Sequence, residues 1–423
     1  MNDTAVLLLA GGVGSRLSIL VSRRAKPAVP FGGIYRIIDF TLSNIAKAGF
    51  TNVAVLTQYK PLSLMDHIGD GSAWDLAGRF RSIKILPPKT GEREWDWYKG
   101  TADAVRQNML FIAAEGYKNV LILSGDHVYH MDYRSMLRFH LEHGAKVTIS
   151  VLKVPWEETH QFGTAVVDEQ YRIMDWEEKS SKSRSNLASM GVYIFDRDYL
   201  VGLLESSKDE DFGYNIVPKA VQEGTVFAYA FDGYWRDVGT LQAYWDANMD
   251  IVKTDSGLNP ESWGTMTNLN ASGIPYDRPP IKIARGSYVI NSAVSPGCII
   301  SGKVENSVLS PGVVVEKGSS VKDSIIMHDT VIREGTSVER CIIDKYVLIG
   351  KESDIGRGDY TMANHVFPEH LNTGLTLIGK EAFIPDNVTI GTNCIIHSNV
   401  EAKDFPVRRI SDGENLQETE VSQ

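Results

Sequence analysis

The fold of this chain is decided by residues 7–39, LLLAGGVGSRLSILVSRRAKPAVPFGGIYRIID. The apolar run over residues 5–10 predicts a buried strand, which ends at the Gly-Gly-Val-Gly of residues 11–14. Because glycine lacks a Cβ, such a turn can bring backbone N–H groups close to an anion. Cationic side chains follow that can meet the charge of a polyanion: Arg16, Arg23, Arg24 and Lys26. The stretch therefore predicts a phosphate-binding loop.

Two common glycine motifs do not fit this loop. It lacks the Gly-Lys-Ser/Thr that closes a P-loop, and Leu17 stands where the dinucleotide fingerprint requires a third glycine. An ordinary strand-to-helix turn remains an alternative for the glycines alone. Pro27, Pro30 and the glycines at 32–33 predict an ordered loop rather than a helix for the second half of the stretch.

Length and charge narrow the class of protein. A chain of 423 residues is longer than a domain with a single hydrophobic core usually is, so two domains are expected. A formal net charge of −10 argues against a nucleic-acid partner, whereas a nucleotide-sized anion needs only a local basic cluster.

The spacing of the cysteines and the hydropathy of the chain predict where in the cell the protein is found. Cys298, Cys341 and Cys394 lie far apart without metal-type spacing, which indicates buried thiols in a reducing compartment. No apolar run approaches 18 residues, and Asp3 stands where a signal peptide would be basic. We expect a cytoplasmic protein without a membrane partner.

The first half alternates strand-like and helix-like segments, a pattern typical of a mostly parallel sheet covered by helices. The clearest predicted strands are residues 5–10, 53–57, 120–124 and 147–151. Residues 37–48 have helical periodicity and precede Gly49, a good helix C-cap. In such sheets ligands collect at the carboxyl ends of strands, where the glycine loop, Gln58 and Asp126 are expected.

In the second half of the chain the apolar residues recur with a different period. Residues 254–280 are polar and rich in Asn, Gly and Pro, which predicts a linker. Beyond it, aliphatic residues recur at six-residue steps, the signature of a hexapeptide β-helix: Ile326, Ile332 and Val338, then Ile378, Ile384, Ile390 and Ile396. The predicted organisation is a catalytic domain at 1–253, the linker at 254–280, the β-helix at 281–410 and a disordered acidic tail at 411–423.

Several motifs carry a family resemblance. RAKPAVPFGG, YRIIDF and LSN, followed in order by WYKGTADAV, LILSGDHVY, DWEEK and YWRDVGT, resemble the sugar-1-phosphate nucleotidyltransferases and specifically the bacterial glucose-1-phosphate adenylyltransferases (ADP-glucose pyrophosphorylases). The resemblance implies a Rossmann-like nucleotidyltransferase domain and a left-handed β-helix that builds a homotetramer. It also implies Mg²⁺-dependent synthesis of ADP-glucose from ATP and glucose 1-phosphate, for glycogen or α-glucan biosynthesis.

The resemblance assigns candidate site residues. Catalytic roles fall on Arg16, Lys26 and Asp126, and the Mg²⁺ ligands are Asp126 and Asp237. The expected glucose 1-phosphate contacts are Tyr98, Gly163, Glu178, Lys179 and Ser189. The expected nucleotide contacts are Leu9, Ala10, Gly11, Gly12, Gly14, Arg16, Lys26, Gln58, Gly100, Thr101 and Ala102. Arg23, Arg24 and Arg36 match a region where family members bind sugar-phosphate effectors.

The residues alone leave alternatives open. Asp126 also suits a helix-capping turn, Tyr98 a core aromatic and the Glu-Glu-Lys of 177–179 a surface turn. The effector arginines also suit the ATP site or the surface.

Some positions depart from the family pattern. Val13 stands where arginine is common, Ala113 where some members are basic, and Tyr214-Asn215 where the usual pair is Lys-Asp. The rival functions are a nucleotidyltransferase for another nucleotide and sugar, and a non-catalytic regulatory subunit. Asn215 favours the subunit, whereas the intact cations and carboxylates favour an enzyme.

Overall fold

A computed structural model describes residues 3–88, 97–113, 116–270 and 278–418. The chain forms two compact units. The sheet unit comprises Met1–Gly12, Ile38–Trp235 and Gly264–Asn268, and the β-helix unit comprises Val13–Ile37, Arg236–Trp263 and Leu269–Gln423. Across the described ranges, no helix is both long and apolar enough to cross a membrane. The predicted boundaries at 253, 280 and 410 stay a prediction.

The strands of the first 237 residues are, in chain order, β1 Thr4–Ala10, β2 Pro30–Phe31, β3 Tyr35–Arg36, β4 Asn52–Thr57, β5 Ser82–Leu86, β6 Asn119–Ser124, β7 His127–Tyr129, β8 Val147–Lys153, β9 Gly163–Val167, β10 Ile173–Glu178, β11 Leu187–Asp196, β12 Val226–Ala230 and β13 Trp235–Asp237. The helices are α1 Ile37–Ala48, α2 Leu62–Ile68, α3 Thr101–Gln107, α4 Met109–Ile112, α5 Tyr133–Glu142, α6 Arg197–Ser206, α7 Val217–Gln222 and α8 Leu241–Val252.

The sheet unit contains a mixed sheet, with four parallel and four antiparallel strand pairings, where a mostly parallel sheet was predicted. Its order is β10-β9-β11-β6-β1-β4-β5, with β8 paired to β11 and β12 paired to β8. Strands β6, β1, β4 and β5 run parallel, and β11 is antiparallel to β6. The central strand β1 is an unbroken apolar run because both of its faces are covered. The predicted strands at 5–10, 53–57, 120–124 and 147–151 are confirmed.

Helix α1 also matches its prediction. Ile37, Phe40, Ile45 and Ala48 are all buried, and Gly49 follows with a φ of +78°. That left-handed conformation lets the Gly49 N–H turn back to the carbonyl of residue 46 at 3.0 Å and end the helix. In the preceding loop, one turn of 3-10 helix forms at Lys26–Ala28, where an ordered loop was predicted.

The β-helix unit is built from short strands: β14 Lys282–Ile283, β15 Tyr288–Ile290, β16 Ala293–Val294, β17 Ile299–Ile300, β18 Lys303–Glu305, β19 Val308–Leu309, β20 Val314–Val315, β21 Ser320–Lys322, β22 Ile325–Ile326, β23 Val331–Ile332, β24 Ser337–Glu339, β25 Cys341–Ile343, β26 Leu348–Ile349, β27 Asp354–Ile355, β28 Thr376–Ile378, β29 Phe383–Ile384, β30 Thr389–Ile390, β31 Ile395–Ile396, β32 Arg409–Ile410 and β33 Asn415–Leu416. Through β31 every third strand stacks in parallel, and β32 and β33 then pair with β30 and β31, which gives three sheets around one core.

The six-residue step is confirmed by burial. Ile378, Ile384, Ile390 and Ile396 end strands β28 to β31 and are fully buried. Each step carries the chain around one corner to the next sheet, so every sixth side chain points into the core.

The predicted disorder after residue 411 is wrong for the residues that the structure describes there. Strand β33 pairs in parallel with β31, with Asn415 opposite Ile395 and Leu416 opposite Ile396. The polar composition misled the prediction because the tail gains order from backbone pairing with the preceding coil, which does not depend on apolar side chains. Residues 419–423 of the predicted tail, and 271–277 of the predicted linker, lie outside the described residues.

Candidate functional site

Three candidate segments of the sheet unit start at one edge of the sheet. Ala10 is paired with Thr57, and Leu9 with Ser124, so β1, β4 and β6 end side by side. The segments that follow carry Gly11, Gln58 and Asp126. Parallel strands thus bring these residues to the rim where ligands are expected in open sheets.

The first group at this rim contains the candidate nucleotide residues. A Cβ on Gly11 would lie 3.3 Å from the Cβ of Gln58, so the glycine turn packs closely against that side chain. The Gln58 amide donates to the carbonyl of Tyr98 at 3.2 Å. Gly100 is sterically required, because a Cβ there would lie 2.3 Å from the carbonyl oxygen of Glu210.

The start of helix α3 is fixed by the same Glu210 carbonyl. It accepts from the N–H groups of Ala102 at 2.9 Å and Asp103 at 3.1 Å. Beside it, the Thr101 hydroxyl donates to the Asp211 carboxylate at 3.0 Å and accepts from the Phe212 N–H at 3.0 Å. The segment 100–102 is therefore held against the loop at 210–212.

Asp126 lies two residues after Ser124, the last residue of β6. The Ser124 hydroxyl donates to its Oδ1, and its side chain is 29% exposed. The next residue, His127, donates from Nδ1 to the carbonyl of Met190 at 3.1 Å, and its Nε2 lies 3.4 Å from Asp126 Oδ1. A partly exposed carboxylate oxygen held by a hydroxyl is a donor that suits a hard cation such as Mg²⁺.

Glu178 forms the floor of the candidate sugar site. A Cβ on Gly163 or Gly213 would lie 2.4 or 2.3 Å from Glu178 Oε2, so two glycines make room for this carboxylate. Burial raises the pKa of Glu178, Lys179 opposes the rise, and the charge of Asp211 adds to it. A half-buried carboxylate of this kind gains from hydroxyl donors that a sugar supplies.

Ser189 and Lys179 complete the candidate sugar group. Ser189 lies on β11 with its hydroxyl 3.5 Å from that of Tyr193. Burial, with a smaller effect from Glu178, raises the pKa of Tyr193, so its hydroxyl stays protonated near neutral pH. Lys179 has a φ of +48°, and its N–H donates to the carbonyl of Phe162 at 3.0 Å.

Tyr98 is buried, and its hydroxyl is already engaged. It donates to the carbonyl of Leu86 at 3.1 Å and accepts from the Asn108 amide at 2.9 Å. Its expected contact with glucose 1-phosphate stays a prediction.

Trp235 is a candidate that the sequence reasoning missed. Its ring packs edge-on against His127 at 5.1 Å and Phe162 at 5.5 Å. Among the described residues its buried indole N–H has no hydrogen-bond partner. The signal was present, since Trp235 lies two residues before Asp237 in the YWRDVGT motif.

The β-helix unit holds a second group of candidates. The Lys26 amine lies 3.0 Å from Asp237 Oδ1. A Cβ on Gly239 would lie 3.0 Å from Arg16 Nη2 and 3.1 Å from both carboxylate oxygens of Asp237. Gly14, with a φ of +65°, packs against the Lys26 side chain, since a Cβ there would lie 3.1 Å from Lys26 Cβ. These contacts gather two cations and one carboxylate on glycine turns.

The effector candidates also lie in the β-helix unit. Arg24 makes a buried bidentate pair with Asp344, at 2.8 Å for the closest atoms, and Arg23 pairs with Glu381 at 2.9 Å on the surface. Burial, and then the positive charges of Arg36 and Arg24, lower the pKa of Lys345 well below its usual range. Arg24, Arg36 and Lys345 therefore form an electropositive cluster, in which the Asp344 carboxylate offsets part of the positive charge.

Comparison with known proteins agrees with this architecture. The profile of the nucleotidyl transferase family matches residues 5–254, and the chain is 48% identical over 98% of both sequences to glucose-1-phosphate adenylyltransferase of Thermomicrobium roseum. The chain belongs to the glucose-1-phosphate adenylyltransferase family of nucleotidyl transferases. A second profile, for the GlmU-like C-terminal hexapeptide, matches residues 280–378, as expected for a left-handed β-helix in such a nucleotidyl transferase.

Two further relatives of this chain are also named glucose-1-phosphate adenylyltransferase. The glucose-1-phosphate adenylyltransferase of Acetivibrio thermocellus is 43% identical over 98% of this chain and 97% of its own. That of Clostridioides difficile is 49% identical over 76% of this chain and 84% of its own. Because the similarity runs through both halves, the family assignment covers the whole architecture.

Proposed function

We propose that this protein makes ADP-glucose and pyrophosphate from ATP and α-D-glucose 1-phosphate. The proposal rests on the edge of the sheet at which β1 and β6 end side by side. The glycine turn follows β1 at this edge, and the Asp126 carboxylate follows β6. The half-buried Glu178 carboxylate belongs to the same unit and offers an acceptor for sugar hydroxyls. Family membership supports this pair of substrates.

The reaction is an in-line displacement. An oxygen of the sugar phosphate attacks the α-phosphorus of ATP, the bond to the bridging oxygen breaks, and pyrophosphate leaves. The attacking phosphate is already ionised, so no general base is required. The protein acts by holding the two anions in line and by offsetting their charge.

Asp126 and Asp237 are the proposed ligands of a Mg²⁺ ion, which would neutralise phosphate charge when bound. Carboxylate oxygens are suitable donors, since Mg²⁺ in such enzymes takes one or two carboxylates and completes its shell with water and phosphate. Asp237 is two residues along the chain from Trp235, whose ring packs on His127, the neighbour of Asp126.

Arg16 and Lys26 are proposed to receive the leaving pyrophosphate. Both approach the segment of Asp237 to Gly239, and Lys26 is buried. Fixed cations in a dry site act most strongly where charge develops in the transition state. Lys179 is proposed to bind the phosphate of the sugar, while Gly163, Ser189 and Tyr98 shape the glucose site.

Product identification tests the proposal. Purified protein with ATP, glucose 1-phosphate and Mg²⁺ should give ADP-glucose and pyrophosphate in equal amounts by mass spectrometry. Omission of any one component should abolish both. Formation of ADP or AMP without a sugar nucleotide would contradict the proposed reaction.

The regulatory-subunit alternative rests on Asn215, and its contacts weaken that argument. The Asn215 amide oxygen accepts from the Asp211 N–H at 3.1 Å, while the Asp211 carboxylate caps the following turn through the N–H of Tyr214 at 3.1 Å. An amide oxygen serves this backbone contact as well as a carboxylate would. Asn215→Asp should therefore leave turnover within about threefold of the parent protein. If the parent were inactive and Asn215→Asp restored activity, the regulatory-subunit alternative would be favoured.

The electropositive cluster supports an effector site. We infer that the phosphate of a sugar-phosphate effector binds near Arg24, Arg36 and Lys345, with Arg23 at the surface. Burial, and then repulsion from Arg36 and Arg24, lower the pKa of Lys345, and a dianion there would relieve the repulsion. Calorimetric titration with sugar bisphosphates should detect binding that Lys345→Gln weakens.

The proposed assembly is a homotetramer in the cytoplasm. The first coil of the β-helix exposes Ile283, Tyr288 and Ile290, apolar side chains that a second copy would cover. Burial raises the pKa of the Cys298 thiol to about 11 and of Cys394 to about 12, as suits inert thiols in a reducing compartment. Light scattering on the full chain measures the assembly.

A further inference from the structure

One turn of π-helix, Phe212–Ile216, lies against the candidate sugar carboxylate. The Ile216 N–H donates to the Asp211 carbonyl at 3.2 Å, five residues back along the chain. Such turns are rare and are found frequently at functional sites. Gly213 is the residue of the turn that approaches Glu178, because a Cβ there would lie 2.3 Å from Glu178 Oε2 and 2.6 Å from its Cδ.

A second backbone segment approaches the same carboxylate oxygen. Gly163 on β9 is paired in register with Glu178 on β10, and a Cβ on Gly163 would lie 2.4 Å from Glu178 Oε2. The carboxylate is therefore packed against the backbone of two glycines. Its orientation depends on where those two segments are held.

Trp176 contacts both segments. It lies two residues before Glu178 on β10, so the two side chains are on the same face of the strand. The buried indole donates its Nε1–H to the carbonyl of Gly213 at 3.0 Å. The same ring packs on β9, since a Cβ on Gly163 would lie 2.3 Å from Trp176 Cζ2. The strand that carries Glu178 is thus hydrogen-bonded to the π-helical turn.

The start of the turn is held by other contacts. The Phe212 N–H donates to the Thr101 hydroxyl at 3.0 Å, and the Phe212 ring stacks on Tyr193 with the ring centres 5.8 Å apart. Because these contacts do not involve Trp176, loss of the indole N–H should displace Gly213 without unfolding the turn.

We propose that Trp176 is a positioning residue of the sugar site, whose indole N–H holds Gly213 against Glu178 and so keeps the carboxylate oriented for the sugar hydroxyls. The proposal rests on the proposed function through Glu178 as the acceptor for those hydroxyls. A carboxylate that is already fixed loses less conformational entropy when the sugar binds. Trp176 therefore strengthens sugar binding without touching the sugar.

Equilibrium binding tests this role without turnover. Glucose 1-phosphate is titrated calorimetrically into protein loaded with Mg²⁺ and α,β-methylene ATP, an analogue that cannot release pyrophosphate. The dissociation constant of Trp176→Phe should rise about fivefold, as expected when one hydrogen bond and the order it imposes are lost. Replacement of Trp176 by benzothienylalanine keeps the shape of the ring and puts sulfur in place of the N–H. It should give the same rise, which separates the hydrogen bond from ring size.

A double-mutant cycle shows whether Trp176 acts through Glu178. In the Glu178→Ala background, Trp176→Phe should change the dissociation constant by less than about twofold, because the side chain that it positions is gone. In steady-state kinetics, Trp176→Phe should raise the Michaelis constant for glucose 1-phosphate while kcat stays within about threefold of the parent, since sugar affinity is what it changes.

Trp74→Phe is the matched control. Trp74 is also buried, and it donates its indole N–H to the carbonyl of Met266 at 3.2 Å. Its loss should lower the thermal midpoint about as much as Trp176→Phe does, because each removes one buried indole-to-carbonyl hydrogen bond. The affinity for glucose 1-phosphate should stay that of the parent.

Three results would overturn the proposal. They are parent-like affinity in the folded benzothienylalanine variant, a loss that persists in full in the Glu178→Ala background, and an equal loss in Trp74→Phe. A parent protein that does not bind glucose 1-phosphate would overturn this proposal together with the proposed function. Binding that depends on both Trp176 and Glu178 in a protein that makes no ADP-glucose would overturn the proposed reaction alone and support the role of Trp176.

Discussion

The Lys26 amine lies 3.0 Å from Oδ1 of Asp237, with the lysine side chain 7% exposed and the aspartate 23% exposed. Before substrates bind, the cation proposed for pyrophosphate thus offsets the charge of a carboxylate proposed for Mg²⁺. If Lys26 receives the pyrophosphate as proposed, its amine must be shared between the Asp237 carboxylate and a phosphate.

Lys26→Gln tests this arrangement. Loss of one fixed cation at the leaving group should lower kcat by about 10²-fold, and pyrophosphate should bind more weakly in the reverse reaction. Steady-state kinetics in both directions give these values. The thermal midpoint should fall by a few degrees because the ion pair with Asp237 is lost. An unchanged Michaelis constant for pyrophosphate would show that Lys26 acts elsewhere.

Asp126→Asn tests the metal carboxylate. Turnover should fall by at least about 10²-fold with little change in thermal stability, because the side chain is partly exposed and the amide keeps its shape. Asp132→Asn is the matched control. Asp132 caps helix α5 through the N–H of Arg134 at 3.0 Å, and asparagine caps nearly as well. Equal activity of both variants would exclude the metal role of Asp126.

Glu178→Gln should separate binding from stability. Burial raises the pKa of Glu178, so the folded protein holds that proton more tightly than the unfolded chain. Stability should therefore fall as pH rises from the unfolded pKa through the folded one, and remain lower above that window. The amide removes this dependence, so the thermal midpoint of Glu178→Gln near pH 7 should equal or exceed that of the parent.

The same variant should bind sugar poorly. The Michaelis constant for glucose 1-phosphate should rise about tenfold, since hydrogen bonds to a charged acceptor are the stronger kind. Differential scanning fluorimetry from pH 4 to 8, beside kinetics, provides both measurements. A less stable variant with normal sugar affinity would contradict the assignment.

Gly163→Ala should weaken the binding of glucose 1-phosphate by displacing Glu178. Its Cβ would lie 2.4 Å from Glu178 Oε2 and 2.3 Å from the ring of Trp176, so both side chains must move. The Michaelis constant for glucose 1-phosphate should rise at least about tenfold, with a loss of stability of about 1–3 kcal/mol. Gly202→Ala is the control, because nothing lies within 4 Å of its added Cβ on helix α6.

That control should raise stability by about 0.5–1 kcal/mol and leave kinetics unchanged, as expected for alanine replacing glycine in a helix. Chemical denaturation of both variants measures the difference. If Gly163→Ala matched Gly202→Ala in kinetics, Glu178 would not form the floor of the sugar site.

Periodic features could be predicted from the sequence because they depend on neighbours in the chain. The strand over 5–10 is a continuous apolar run, and the α1 helix and the six-residue step through Ile396 are local repeats of apolar residues. The position of Asp126 follows from the same logic, since a charged residue after an apolar strand emerges at the rim.

Contacts between distant segments could not be predicted. The Arg24–Asp344 pair joins residues 320 positions apart, and no local pattern marks the partner. The Tyr98 hydroxyl is engaged by Leu86 and Asn108, which a motif match does not reveal. The order of residues 415–416 depends on backbone pairing with β31, which composition does not reveal.

The most direct test of the central claim is pyrophosphate release with Mg²⁺ across a grid of ATP, UTP, dTTP and GTP against glucose, mannose and N-acetylglucosamine 1-phosphates. We predict release with ATP and glucose 1-phosphate at a kcat/KM at least about tenfold above every other pair, since one well-placed polar contact discriminates by about that factor or more. Preference for another pair, or no release across the whole grid with sugar-phosphate effectors present, would contradict the account.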